Sequence, residues 1–146
     1  MDWDHQQLSR FVTHHCPGPV GEARFRPIPT GKFNDSFYVT MGERELVLRI
    51  APPDDTVFLF YERSMMRQEP RLHAVLRERT DVPVAEVLAF DDSRQILPRA
   101  AMLMERLPGQ PLTEAGGAVS AEDVFGRVGE LLQQVHGLRA EQYGYL

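Results

Sequence analysis

The chain has 146 residues, 42% hydrophobic and 25% charged, which is the size and make-up of one globular domain with one core. A net charge of −5 argues against nucleic acid or an anionic membrane as partner. The single cysteine, Cys16, excludes an intrachain disulfide and a cysteine-based zinc site.

The polar start MDWDHQQ does not read as a signal peptide, and no apolar run reaches the ~18 residues of a spanning helix. A cytoplasmic protein is therefore expected. Residues 3–15 place Trp3, Leu8, Phe11 and Val12 at helical spacing, and Pro17-Gly18 closes that segment. Asp2 and Asp4, which resemble a metal pair, read as a solvated helix start. RFRPIP at 24–29 alternates imperfectly and carries two prolines, as an edge strand does. SFYVTM (36–41) and RELVLRI (44–50) are strong strands, joined by Gly42-Glu43 into an antiparallel hairpin. After APPDD, a helical stretch over 57–79 is interrupted at Pro70. Strands follow over 84–90 and 100–107, with DDSRQ as the turn between them, and PGQPL breaks the pattern. Ser120 reads as the N-cap of a last helix, with Asp123 at the capping-box position. That helix carries Val124, Val128, Leu131, Leu132 and Val135 on one face. The order predicts an α+β fold: a mainly antiparallel sheet of about five strands with packed helices.

Four places carry candidate chemistry. In LVLRI, Leu46, Leu48 and Ile50 share one face, Val47 and Arg49 the other. A guanidinium there either finds an anion or a wet cleft, or snorkels to solvent. Met65, Glu69, Leu72 and Leu76 form one helical stripe, so Glu69 is a carboxylate among apolar residues and a natural complement to Arg49. A plain salt bridge tying helix to sheet explains the pair equally. The loop of Gly31, Asn34, Asp35 and Ser36 is either an ordinary hairpin turn or a cradle of backbone amides for an anion. The strand end MERLPG offers backbone groups that suit an adenine edge, or it simply leaves the sheet.

Taken in order, G-x-x-N at 31–34, LVLRI, E-x-x-L-x-x-x-L at 69–76, VPVAEVLAFDD, AMLMERLPGQPL and LLQQVHGLRAEQYGYL resemble the N-terminal lobe of the aminoglycoside phosphotransferase and choline kinase-like family, which has a protein-kinase-like fold. The resemblance spans nearly the whole chain and rests on order and spacing. It implies residues 1–112 as a nucleotide-binding lobe and 113–146 as a linker and helix opening a second lobe. It implies that the loop with Gly31, Asn34 and Ser36 covers a triphosphate, that Arg49 contacts the phosphates and that Glu69 holds Arg49. Val47 then roofs the adenine, Met104 or Met102 sits behind it, and the main chain of Glu105 to Leu107 meets its edge. ATP, with Mg²⁺ in an intact enzyme, is the implied cofactor, and GTP stays open.

The family's His-x-Asp-x-x-x-x-Asn loop is absent: none of the histidines at 5, 14, 15, 73 and 136 has Asp two residues on. The resemblance thus implies transfer of a γ-phosphate to a hydroxyl only when a second lobe is supplied, with this chain inactive alone. A non-catalytic binding or dimerisation module is the alternative, and an unrelated α+β domain with a structural Arg–Glu pair is the third reading. Without a second lobe, the last helix either folds back onto the sheet or is covered by a second copy. A two-fold homodimer is the expected arrangement.

Overall fold

The computed structural model describes residues 3–16, 21–29, 33–53, 65–115 and 120–140. In chain order these form α1 (His5–His15), β1 (Arg24–Pro27), β2 (Asp35–Met41), β3 (Arg44–Ile50), α2 (Met65–Arg79), β4 (Val87–Asp91), β5 (Ala101–Glu105), a 3-10 turn (Leu112–Glu114) and α3 (Ala121–Gly137). The strands make one sheet in the order β1-β2-β3-β5-β4, every neighbouring pair antiparallel. β3 is therefore central. This is the α+β arrangement expected, a five-stranded antiparallel sheet with packed helices.

Period-two alternation builds two cores, one on each face of the sheet. On one face, Leu8, Phe11 and Val12 of α1 pack with Val39, Met41, Leu46, Leu48, Ile50 and Leu103. Leu48, Ile50 and Leu103 are fully buried, each contributing about 1.5–3 kcal/mol of apolar burial. On the other face, Met66, Ala85, Met102 and Met104 gather with Val47, Val87 and Phe90. α1 opens at Asp4, whose Oδ1 accepts from the Gln6 amide at 2.8 Å, so the acidic start is a helix cap. At its other end His15 Nε2 meets Asp91 Oδ2 at 3.1 Å, tying α1 to the edge strand β4.

The β2–β3 hairpin forms as expected, with Gly42 at φ 63°, a conformation in which a side chain is strained. Elsewhere the structure departs from expectation. Residues 54–64, which include the first part of the expected helix, lie outside the described residues. Pro70 does not interrupt the helix: α2 runs through it. Its missing N–H leaves the Met66 carbonyl without an i+4 donor, a local loss that the helix absorbs.

The apolar stripe is also displaced. Met65 and Leu72 are exposed, and the inward face is Met66, Glu69 and His73. The reason is polar docking: His73 Nδ1 contacts the Ala85 carbonyl at 2.9 Å, and Arg77 Nη1 donates to the Val84 carbonyl at 3.1 Å. Those two carbonyls are turned toward the helix, so the strand expected from 84 begins at Val87, with a register irregularity between Val87 and Ala89. β5 stops at Glu105, short of 107, and the chain leaves through Pro108 and Gly109 at φ 122°.

Ser120 caps α3 as expected, its side chain accepting from the Asp123 amide at 3.4 Å. No described side chain of α3 is buried, and Phe125, Val128 and Leu132 are exposed. The fold-back that would bury its apolar face is thus not seen. A hydrogen bond from the Asp81 amide to Gln134 Oε1 at 2.7 Å links it to the turn after α2. Among the described residues no helix is long and apolar enough to cross a membrane.

Candidate functional site

β3 delivers Glu45, Val47 and Arg49 to the face away from α1. The register sets Ser36 opposite Arg49 and Tyr38 opposite Val47 on one side. On the other side it sets Met102 opposite Arg49 and Met104 opposite Val47. Paired residues in an antiparallel sheet point the same way, so these six side chains share one surface. Met102 and Met104 are buried behind it.

α2 crosses this surface and brings Glu69 to Arg49. The pair is bidentate: Nη1 donates to Glu69 Oε2, and Nη2 to Oε1 at 3.2 Å. The two side chains are 27% and 23% exposed, so the pair is neither a solvated surface bridge nor a sealed one. Arg49 keeps further N–H donors beyond the two given to Glu69. The complementarity expected of Arg49 and Glu69 is present even though α2 contains Pro70.

Asn34 and Ser36, both half-buried, sit just before and within β2; Gly31 lies outside the described residues. Asp35, between them, points to the opposite side. There it accepts from Trp3 Nε1 at 3.2 Å and from Arg99 Nη2, and the Arg99 guanidinium lies 4.7 Å from the Trp3 ring. Trp3 and Arg99, distant in sequence, therefore hold Asp35 at the start of β2 from behind. Glu105 and Arg106 do not offer free amides as expected: Glu105 N–H donates to the Glu86 carbonyl at 2.9 Å and Arg106 N–H to the Glu45 carbonyl at 3.1 Å. These bonds continue the sheet past its last residue. The Leu107 amide is the first of the segment to lie beyond strand pairing.

A second cluster on this face escaped sequence reasoning. Arg106 Nη1 donates to Glu45 Oε2 at 2.7 Å, and Thr40 Oγ1 donates to Glu45 Oε1 at 2.9 Å. The Arg106 and Arg26 guanidiniums each lie 4.4 Å from the centre of the Tyr38 ring. The Thr40 hydroxyl, and then Arg106, hold the Glu45 carboxyl below its ordinary range. The signal was the parity of 38 and 40 against 45, but assigning Arg106 to it required the β3–β5 pairing. An open recess of about 370 Å³, lined among others by Arg77, Asp81, Val84, Glu105 and Leu107, borders the same segment.

A sequence profile of the phosphotransferase enzyme family matches residues 24–145. The chain belongs to the phosphotransferase enzyme family. None of the curated proteins matches the sequence. Three solved structures share the fold. The microcompartment-associated aminopropanol kinase is 22% identical with a TM-score of 0.61, over 98% of this chain and 44% of that one. A protein of Ralstonia eutropha JMP134 assigned to the aminoglycoside phosphotransferases is 23% identical with a TM-score of 0.58, over 76% of this chain and 30% of that one. A thermostable variant of aminoglycoside phosphotransferase APH(4)-Ia, in ternary complex with AMP-PNP and hygromycin B, is 18% identical with a TM-score of 0.56, over 91% of this chain and 40% of that one. The phosphotransferase fold is thus represented here by less than half the length of these relatives.

Proposed function

We propose that this chain is the nucleotide-binding lobe of an ATP-dependent small-molecule phosphotransferase. The observation that carries the reading is the bidentate Arg49–Glu69 pair, set on the same sheet face as Val47 and Met104. A guanidinium about one-quarter exposed and held at two points by a carboxylate is oriented, charged and still able to donate to a phosphate oxygen. In this reading the loop with Gly31, Asn34 and Ser36 covers the phosphates, and Val47 roofs the base. Met104 closes the rear, and the Glu105 carbonyl and Leu107 amide meet the base edge. The AMP-PNP in the complex of a structural relative supports a nucleotide as ligand. Residues 1–112 form this lobe, and 113–146 lead into a second one that supplies the acceptor site and the catalytic base.

Among the described residues no group of three or more His, Cys, Asp or Glu could hold a metal. What these residues do is bind and orient: Arg49 fixes the phosphates, the loop excludes water from them, and the base edge sets the depth of insertion.

The experiment is hydrogen exchange with magnesium and ATP at millimolar concentration. Amides of residues 31–36 and 105–107 are expected to slow. Unchanged exchange in both segments would leave Arg49–Glu69 as a structural pair. A second reading, a non-catalytic dimerisation module, is favoured by the exposed Phe125, Val128 and Leu132 of α3. A lobe that associates in solution while its exchange ignores ATP would select it.

A further inference from the structure

Arg106 is anchored more firmly than a residue leaving a sheet needs to be. Its amide donates to the Glu45 carbonyl at 3.1 Å, and its Nη1 donates to the carboxylate of the same residue at 2.7 Å. Its guanidinium also lies 4.4 Å from the Tyr38 ring. Glu45 is fixed in turn by Thr40, and Tyr38 takes a second guanidinium, that of Arg26 on β1. An isolated exposed ion pair does little. Here the side-chain bond and the backbone bond join the same two residues, so together they close a ring that resists rotation of the Arg106 peptide.

In an extended chain successive peptide groups point in opposite directions. Holding the Arg106 amide toward β3 therefore turns the Glu105 carbonyl and the Leu107 amide away from β3. The chain bends immediately afterwards, at Pro108 and Gly109. Without the Arg106 side chain, Arg106 itself would be held to β3 by its backbone bond alone, with Glu105 held on the other side by its bond to Glu86 and by Arg77 at 3.9 Å. Glu45 and Arg49 are four residues apart on β3, roughly 13 Å, so this anchor stands at the opposite end of the strand from the phosphate grip.

We propose that Arg106, locked by Glu45 and Tyr38, is a positioning residue for base recognition: it aims the Glu105 carbonyl and the Leu107 amide at the purine edge. The inference rests on the nucleotide-lobe reading above, but it concerns the base end alone. It separates recognition of the base from recognition of the phosphates, which belongs to Arg49.

The test titrates the full chain, in magnesium, with ATP and with inorganic tripolyphosphate. Arg106→Ala is expected to weaken ATP about tenfold while tripolyphosphate stays within about twofold. Glu45→Gln should shift ATP in the same direction by less, and Arg106→Lys should recover part of the loss, because an ammonium reaches Glu45 but does not stack as a guanidinium does. Exchange of the Leu107 amide should quicken in Arg106→Ala with little change in thermal midpoint. If Arg106→Ala is poorly folded, Glu45→Gln and Arg106→Lys carry the same comparison. Unchanged ATP affinity in the variants overturns the positioning role and leaves the nucleotide lobe standing. Equal losses for ATP and tripolyphosphate overturn it too, making Arg106 a phosphate contact. A wild-type chain that binds neither ligand removes both readings.

Discussion

Arg49 and Glu69 are about one-quarter exposed, which places their energetics between two limits. Breaking a sealed pair strands a charge at about 3–5 kcal/mol, whereas an open surface pair is worth about 1 kcal/mol or less. Replacing Arg49 by Met should therefore destabilise the chain by about 1–3 kcal/mol in urea unfolding, and a change below 0.5 kcal/mol, by rough order of magnitude, would mean the pair is solvated. Asp35 poses a second case: its partner Arg99 is buried, whereas Asp35 itself is 39% exposed. Asp35→Asn removes charge without removing volume and should cost about 1–3 kcal/mol, between the exposed and sealed limits, with amides next to residue 35 exchanging faster. Asp91 gives a pH signature. Hydrogen bonding by Ser93, and then by His15, holds its carboxyl below the ordinary range. A carboxylate whose folded value is depressed stabilises at neutral pH, and that stabilisation disappears as pH falls through the lowered value. The thermal-midpoint gap between wild type and Asp91→Asn should accordingly shrink below about pH 4, and a gap that persists to pH 2, well under the ordinary carboxylate value of about 4, would count against the latch.

At the scale of elements, α2 is the instructive one. Restoring an N–H at position 70 by Pro70→Ala lets the Met66 carbonyl complete its helical bond, so thermal unfolding should show a gain of about 1 kcal/mol. A loss would mean that the proline's fixed φ holds Glu69 in place. This helix also marks the limit of what the sequence reveals. The Arg49–Glu69 pairing was legible because each charge sat on an apolar period, one of 2.0 and one of 3.6, and unsatisfied charges seek each other. The β2–β3 hairpin was legible for similar reasons: clean alternation on both sides of a two-residue turn. The inward face of α2 was not, since its docking uses His73 and Arg77 against main-chain carbonyls, and hydrophobic periodicity is blind to polar docking. The Arg106–Glu45 contact spans 61 positions and exists only once β5 is laid beside β3. No local pattern encodes that adjacency.

For the whole molecule, α3 and the segment before it decide the state in solution. On α3, Phe125 is 75% exposed, with Val128 and Leu132 exposed one and two turns further along, and Leu112 of the 3-10 turn is 60% exposed. Large contiguous apolar patches are rare on monomers and attract a partner surface. Sedimentation at micromolar concentration should show association, with a two-fold dimer as the expected species. Phe125→Ser combined with Leu132→Gln should return a monomer whose thermal midpoint no longer depends on protein concentration, because neither residue is buried in the domain. A lower midpoint even at concentrations where the wild type is monomeric would show that α3 contributes to the lobe's own stability. The exposed face is equally suited to the second lobe that the proposed function requires, and adding that lobe in trans should compete with self-association.

The alternation along β3 has a consequence for how this protein can be altered. Even-numbered residues 46, 48 and 50 belong to the sealed core, and odd-numbered 45, 47 and 49 belong to the open face. Neighbours in the chain are thus strangers in space, and tolerance to substitution should oscillate with every step. A randomised library at 45, 47 and 49 leaves the core under α1 untouched, whereas the same library moved by one position samples only broken cores. Inserting a single residue into this strand exchanges the two populations wholesale, sending a guanidinium toward Phe11 and a leucine into the cleft. Inserting two restores the parity and only slides the register. Length changes here should therefore be tolerated in twos, a rule that a deletion and insertion scan of 44–50 would read directly.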